Sequence, residues 1–127
     1  MLVEVLMAIA RYIVNDVDSA LEFYTQVLGF ELKQRWGPPF ASIERDDLEI
    51  WISGPGTSAR AEMPDGSTPA PGGWNRIVIA VEDIEATVAE LRRRDAFFRN
   101  EPLAGPAGTQ VLVEDPSGNP IELFQPA

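Results

Sequence analysis

The sequence contains no cysteine and no histidine. Without cysteine there is no disulfide, no thiol nucleophile and no thiolate ligand, and without histidine there is no imidazole base and no Ser-His-Asp triad. Zinc and non-haem iron sites are built mainly from these two residue types. Only carboxylates, carbonyl groups and water remain as metal ligands, and they favour hard cations if a metal is bound at all.

Positive charge and long hydrophobic runs are also scarce. Ten Lys and Arg stand against 20 Asp and Glu, for a net charge of −10, so nucleic acid and anionic membrane surfaces are not expected as partners. No apolar run approaches the roughly 18 residues of a membrane span, and the N-terminal stretch lacks the basic region and cleavage site of a signal peptide. We therefore expect a cytoplasmic protein, for which Met7 is as good a start as Met1.

An internal repeat organises the chain. A short apolar strand leads into V-x-D at Val14–Asp16 and again at Val81–Asp83, and helical periodicity follows each copy. An Asp directly before such periodicity is typical of a helix N-cap. Short alternating runs then predict three strands after each helix.

This order predicts an α+β fold built from two tandem βαβββ modules. The predicted modules span 7–53 and 74–125, within a single domain that covers 1–127. Between them, 54–73 is rich in Gly, Pro, Ser and Thr, which is typical of a linker or a flap over a ligand site.

The last strand of each module places one carboxylate between large apolar residues. Glu49 lies in LEIW and Glu122 in IELF. Because successive side chains of a strand point to opposite faces, Trp51 shares the face of Glu49 and Phe124 shares the face of Glu122. The faces of Trp36, Phe40 and Trp74 cannot be assigned in this way.

Two basic residues on the first strands complete the set of candidate site residues. Arg11 and Arg76 each lie on a strand that precedes a V-x-D motif. One interpretation is that the glutamates recognise a ligand or act as acid or base. The other is a charge network in which Arg76 neutralises Glu122 and Arg11 neutralises Glu49. The candidate ligand-binding residues are Arg11, Glu49, Trp51, Arg76, Glu122 and Phe124.

Two segments carry a resemblance to a known family. VNDVDSALEFYTQVLGF (14–30) and EDPSGNPIELFQ (114–125), in this order, resemble the vicinal oxygen chelate superfamily. That superfamily includes glyoxalase I, extradiol dioxygenases, fosfomycin-resistance enzymes and bleomycin-binding resistance proteins. The resemblance covers nearly the whole chain and implies curled mixed sheets around an open cup, with the site inside the cup and usually with a homodimer.

The resemblance also implies where a metal would be bound. In metal-dependent members the ligands come from the first and last strands of each module, which here places them at Ile9, Glu49, Arg76 and Glu122. Isoleucine has no lone pair and arginine stays protonated, so neither ligates a cation. An extradiol dioxygenase needs two His and one Glu and is excluded. We expect no cofactor; the alternative is a divalent metal held by the two glutamates.

The sequence therefore favours a metal-independent small-molecule-binding protein, in the manner of the antibiotic-sequestering members, with a cationic or aromatic ligand. The alternative is a glyoxalase-like lyase or isomerase that uses Glu49 and Glu122, with or without a divalent metal. If the enzyme is metal-free, the catalytic residues are Glu122, which acts as the base, and Arg76, which stabilises an enolate-like charge. A regulatory module with a vestigial cup is a third hypothesis.

Overall fold

The computed structural model describes residues 7–127 and divides into two compact units. One unit ends at Ala70 and the other is Pro71–Ala127. Each unit has its own mixed sheet and its own helix, which confirms the predicted α+β class with repeated modules. Among the described residues, no helix has the length and apolar character needed to cross a membrane.

The first unit contains a four-stranded sheet in the order β1-β4-β3-β2. Its elements are β1 (Ala10–Ile13), α1 (Val17–Glu22), β2 (Glu31–Trp36), β3 (Phe40–Arg45) and β4 (Leu48–Ser53). Strand β1 runs parallel to β4, whereas β3 is antiparallel to both of its neighbours. A π-helical turn, Phe23–Val27, continues α1, and a 3-10 turn, Ser58–Arg60, follows β4.

The second unit repeats this plan with one additional strand. Its elements are β5 (Ile77–Ala80), α2 (Ile84–Arg93), β6 (Phe97–Phe98), β7 (Leu103–Gly105), β8 (Gly108–Glu114) and β9 (Pro120–Pro126). The sheet order is β5-β9-β8-β6, and β7 also pairs with β8. Strand β5 is parallel to β9.

The first of the three strands predicted after the second helix is split in two, as β6 and β7. Between β6 and β7 the side chain of Asn100 accepts a hydrogen bond from the backbone N–H of Leu112 at 2.9 Å. Pro102, just beyond it, has no N–H to donate to a sheet. The backbone ladder is thus interrupted and resumes at Leu103.

Both helices begin at the predicted caps. The carboxylate of Asp16 accepts from the N–H of Ser19 at 3.2 Å, and that of Asp83 accepts from the N–H of Ala86 at 3.1 Å. Each cap has an extended backbone, as N-caps require. Gly29, which follows the π-helical turn, has φ +77°, a conformation that glycine adopts readily.

The alternation of the last strands is also as predicted. Helix α1 packs on β4 and α2 packs on β9. Ile50 and Ile52 of β4 are 0% exposed, and in β9 Ile121 and Leu123 are 0% and 1% exposed. The intervening residues, which include both candidate glutamates, lie on the opposite side of each sheet, which we call the glutamate face.

Candidate functional site

Strand register divides the glutamate face of the first unit into three rows that cross the strands. The middle row consists of Arg11, Trp51, Ser42 and Gln34. On one side of it lies a mainly apolar row of Ile13, Ser53, Phe40 and Trp36. On the other side lies an acidic row of Glu49, Glu44 and Glu31. Aromatic, polar and acidic side chains are therefore adjacent on one surface.

Three aromatic side chains from neighbouring strands stack on this surface, and we call them the aromatic wall. Trp36 and Phe40 lie nearly parallel, with ring centroids 5.2 Å apart and planes 28° apart. Phe40 meets Trp51 edge to face, with centroids 5.6 Å apart. Trp36 is 53% exposed, and the other two rings are half-buried. The wall thus presents aromatic surface to a ligand.

Arg11 is held against one end of this wall. Its Nη1 donates to Ser53 Oγ at 2.9 Å, and its guanidinium carbon lies 5.0 Å from the centroid of the Trp51 ring. A cation over an indole face is attracted by the ring quadrupole. Both contacts fix the direction of an exposed side chain without neutralising its charge.

Glu49 is part of a three-member hydrogen-bonded group. One carboxylate oxygen accepts from Lys33 Nζ at 2.7 Å and the other from Trp51 Nε1 at 2.9 Å. The Lys33 hydrogen bond, followed by that of Trp51, lowers the pKa of Glu49 below its usual 4.5. The same bond raises the pKa of Lys33 above its usual 10.5.

These shifts set the pH range over which the pair stabilises the fold. A lowered carboxyl pKa gives a contribution that is present above pH 4.5 and is lost as pH falls through the pKa of the folded state. A raised ammonium pKa gives a contribution that is present below pH 10.5 and is lost as pH rises through the folded pKa. Glu49 therefore stays ionised and paired throughout the physiological range.

The predicted pairing of Arg11 with Glu49 is wrong. Arg11 lies in the middle row beside Trp51, whereas Glu49 lies in the acidic row and takes Lys33 as its partner. Lys33 sits where the register between β2 and β3 shifts, between Leu32 and Gln34. Such a bulge re-aims a side chain, and alternation along a single strand does not reveal it.

In the second unit the predicted ion pair is present. Glu122 is 8% exposed, and its Oε1 accepts from Arg76 Nε at 3.1 Å and from Nη2 at 2.8 Å. The remaining terminal nitrogen of Arg76 donates to the carbonyl of Trp74 at 3.1 Å. The guanidinium is thus turned toward Glu122 and neutralises a buried carboxylate.

Phe124 lies on the same face of β9 as Glu122. It lines a cavity of about 200 Å³ together with Gln110 and the β7–β8 hairpin. Gly108 makes this packing possible, because a Cβ there would lie 2.2 Å from the carbonyl oxygen of Gln125 and 2.8 Å from the Phe124 ring. The second unit therefore has a small recess next to Phe124.

The structure places the six predicted site residues in two groups of three. Arg11, Glu49 and Trp51 share the glutamate face of the first unit, and Arg76, Glu122 and Phe124 share that of the second. Lys33 and Ser42 were missed by sequence reasoning, and the faces of Trp36 and Phe40 were left open. The two-residue turn at Asp46–Asp47 is a signal that could have placed Ser42 and Phe40, since it fixes the β3–β4 register at Arg45↔Leu48.

The residues at the implied metal-ligand positions do not fit a divalent cation. Glu49 is bonded to the ammonium of Lys33 and Glu122 to the guanidinium of Arg76. A cation placed at either carboxylate would be repelled by the positive charge already there. Within residues 7–127 there is no cluster of three or more His, Cys, Asp or Glu able to hold a metal ion.

The chain belongs to the glyoxalase/bleomycin resistance protein/dioxygenase superfamily, whose family model matches residues 6–123. A probable lactoylglutathione lyase from Synechocystis sp. is 28% identical over 123 residues, with 88% of each chain covered. A superfamily member from Sphaerobacter thermophilus shares the fold with a TM-score of 0.75 and 26% identity, over 98% of this chain and 99% of that one.

A third relative is a solved structure with a bound drug. The bleomycin-binding protein of Streptomyces verticillus, in complex with copper(II)-bleomycin, matches with a TM-score of 0.63 and 24% identity. The match covers 99% of this chain and 100% of that chain. At this identity the likeness shows a shared fold.

Proposed function

We propose that this protein is a metal-independent small-molecule-binding protein that sequesters a planar aromatic compound, such as an antibiotic, on its aromatic wall. The observation that carries the proposal is the stack of Trp36, Phe40 and Trp51 across three neighbouring strands. Ligand sites are mostly apolar with a few polar groups that fix orientation, and aromatic rings stack favourably on such walls. A cytoplasmic homodimer is part of the same proposal.

The charges next to Trp51 support an aromatic ligand better than a cationic one. The carboxylate of Glu49 is already paired with Lys33, and Arg11 adds a further positive charge beside Trp51. The bleomycin-binding protein of S. verticillus is a relative of the same fold that binds a drug. Binding by stacking and charge-assisted hydrogen bonds needs no catalytic group and no metal.

We expect Trp51→Ala and Trp36→Ala each to weaken the binding of a planar aromatic antibiotic by about tenfold or more, the scale of aromatic anchors. Isothermal titration with 2-naphthamide and with the uncharged aglycone of an anthracycline measures the change. Trp74→Ala is the matched control, because Trp74 is 69% exposed and packs on Arg99 within the second unit. Unchanged affinity in both test variants would refute the assigned binding surface.

A glyoxalase-like lyase or isomerase is the second candidate. The two hydrogen bonds that Arg76 donates to Glu122 both go to Oε1. Oε2 has no side-chain donor within the described chain and is therefore available to a substrate. The relative from Synechocystis is named a probable lactoylglutathione lyase. In this case Glu122 removes a proton next to a carbonyl, and Arg76 stabilises the enolate-like charge that develops.

Turnover of the Glu122→Gln variant tests this second candidate. If the protein is such an enzyme, formation of S-lactoylglutathione by the wild type should fall by about a hundredfold or more in the variant, because a general base contributes on that scale. Glu49→Gln serves as the control for a carboxylate that is already bonded to a lysine. Wild-type protein without measurable turnover would remove the candidate.

A further inference from the structure

Arg11 is one of two basic residues that have no ion pair with a carboxylate in the described chain. Eight of the ten Lys and Arg lie within 4.0 Å of a carboxylate oxygen. Of the other two, Arg60 donates to the backbone carbonyl of Val14 at 2.8 Å. Arg11 has no carboxylate at that distance among residues 7–127, in a protein with 20 Asp and Glu. Its positive charge is available to a ligand.

The guanidinium is nevertheless fixed in direction. Its two described partners, the hydroxyl of Ser53 at 2.9 Å and the ring of Trp51 at 5.0 Å, carry no net charge. A guanidinium has five N–H donors, and Ser53 uses one of them. Among the remaining N–H groups are two that can donate side by side to the two oxygens of one carboxylate.

A second polar group lies in the same row on the other side of Trp51. Ser42 is the register partner of Trp51 on β3, as Arg11 is on β1. Ser42 is 1% exposed, and its Oγ has no hydrogen-bond partner among the described residues. Buried hydroxyls are nearly always bonded to protein, water or a ligand. With strands about 4.8 Å apart, Arg11 and Ser42 flank the indole at its two sides.

We propose that the aromatic compound bound on the wall carries a carboxylate, and that Arg11 binds this carboxylate while the ring lies on Trp51. The inference rests on the proposed function, because it specifies the ligand class for the same surface. A carboxylate is favoured over a neutral group because a guanidinium hydrogen bond to it is charge-assisted. An ammonium group is disfavoured because it would meet the unmatched charge of Arg11.

The test compares ligands that share one ring system and differ in charge. Calorimetric titrations are made with 2-naphthoate, the neutral 2-naphthamide and the cationic 2-naphthylmethylammonium. We expect the wild type to bind naphthoate about tenfold more tightly than naphthamide, the net contribution of one hydrogen bond to a charged group. Arg11→Gln should remove this preference, so that naphthoate and naphthamide bind with equal affinity.

Arg35→Gln is the matched control. Arg35 lies on β2 of the same sheet, in register with the fully buried Ala41 on the face opposite the wall, and it is paired with Asp18. This variant should keep the preference for naphthoate. If Arg35→Gln also lost the preference for naphthoate, the net charge of the protein, and not Arg11, would set that preference.

The outcomes separate this inference from the proposed function. Failure of all three compounds to bind would contradict the aromatic wall as a binding surface, and the proposed function with it. Equal binding of naphthoate and naphthamide, unaffected by Arg11→Gln, would leave the proposed function standing and overturn the inference. Tighter binding of the ammonium compound would also overturn it.

Discussion

Replacing Arg76 with methionine is expected to lower the free energy of unfolding by about 2 kcal/mol. The change leaves Glu122, whose side chain is 10% exposed, without the guanidinium that bonds its Oε1. Removing one partner of a fully buried ion pair costs about 3 to 5 kcal/mol. The Arg76 side chain is 27% exposed, so the effect should be smaller than in a sealed core. Urea unfolding measures it.

Two further variants make the result specific. The double variant Arg76→Met/Glu122→Leu removes both charges and should recover most of the loss, because an apolar pair of similar volume has no charge to desolvate. Arg92→Met removes an exposed partner of Glu101 and should change stability by less than about 0.5 kcal/mol. If Arg76→Met were as stable as the wild type, the ion pair with Arg76 would not be needed to keep Glu122 buried.

The second large effect is expected from Asp115→Ala, in the DPSGN segment between β8 and β9. Asp115 is 4% exposed, and its Oδ1 accepts from the N–H groups of Ser117 and Asn119, both at 2.9 Å. Its Oδ2 accepts from the Asn119 side chain at 2.9 Å. Loss of these three bonds should lower the free energy of unfolding by about 3 kcal/mol, at roughly 1 kcal/mol each.

Asp65→Ala is the control for this turn. Asp65 makes a similar turn, accepting from the N–H of Ser67 at 3.0 Å and from its hydroxyl at 2.6 Å, but it is exposed to water. Water replaces the lost bonds there, so we expect a change below about 1 kcal/mol. Equal losses in the two variants, measured by urea unfolding, would contradict the account that burial makes Asp115 important.

The fold was predictable because its signals are local. Asp16 and Asp83 cap helices through bonds to residues three positions away, and the alternation around Glu49 and Glu122 follows from the geometry of one strand. The additional strand in the second unit was not predictable in this way. At the break between β6 and β7 the Leu112 N–H donates to the side chain of Asn100, a contact between two strands that the pattern of one strand does not indicate.

The candidate site was predictable only in part, because its contacts cross between strands. The Arg76–Glu122 pair follows from two residues assigned to the same face. Lys33 reaches Glu49 through an irregular register of β2, and no pattern within that strand indicates it. The wall likewise needs the pairing of three strands at once, so Trp36 and Phe40 could not be placed from alternation alone.

The proposed site binds an aromatic compound without a metal. Thermal unfolding of chelator-treated protein tests this proposal, with Ni²⁺, Mn²⁺, Zn²⁺ and Mg²⁺ added in one series and planar aromatic antibiotics in another. A ligand of the native state raises Tm by mass action. We predict a higher Tm with at least one aromatic compound and no change with any metal. A higher Tm with a divalent cation and none with an aromatic compound would contradict the account and would show that the glutamates bind metal despite Lys33 and Arg76.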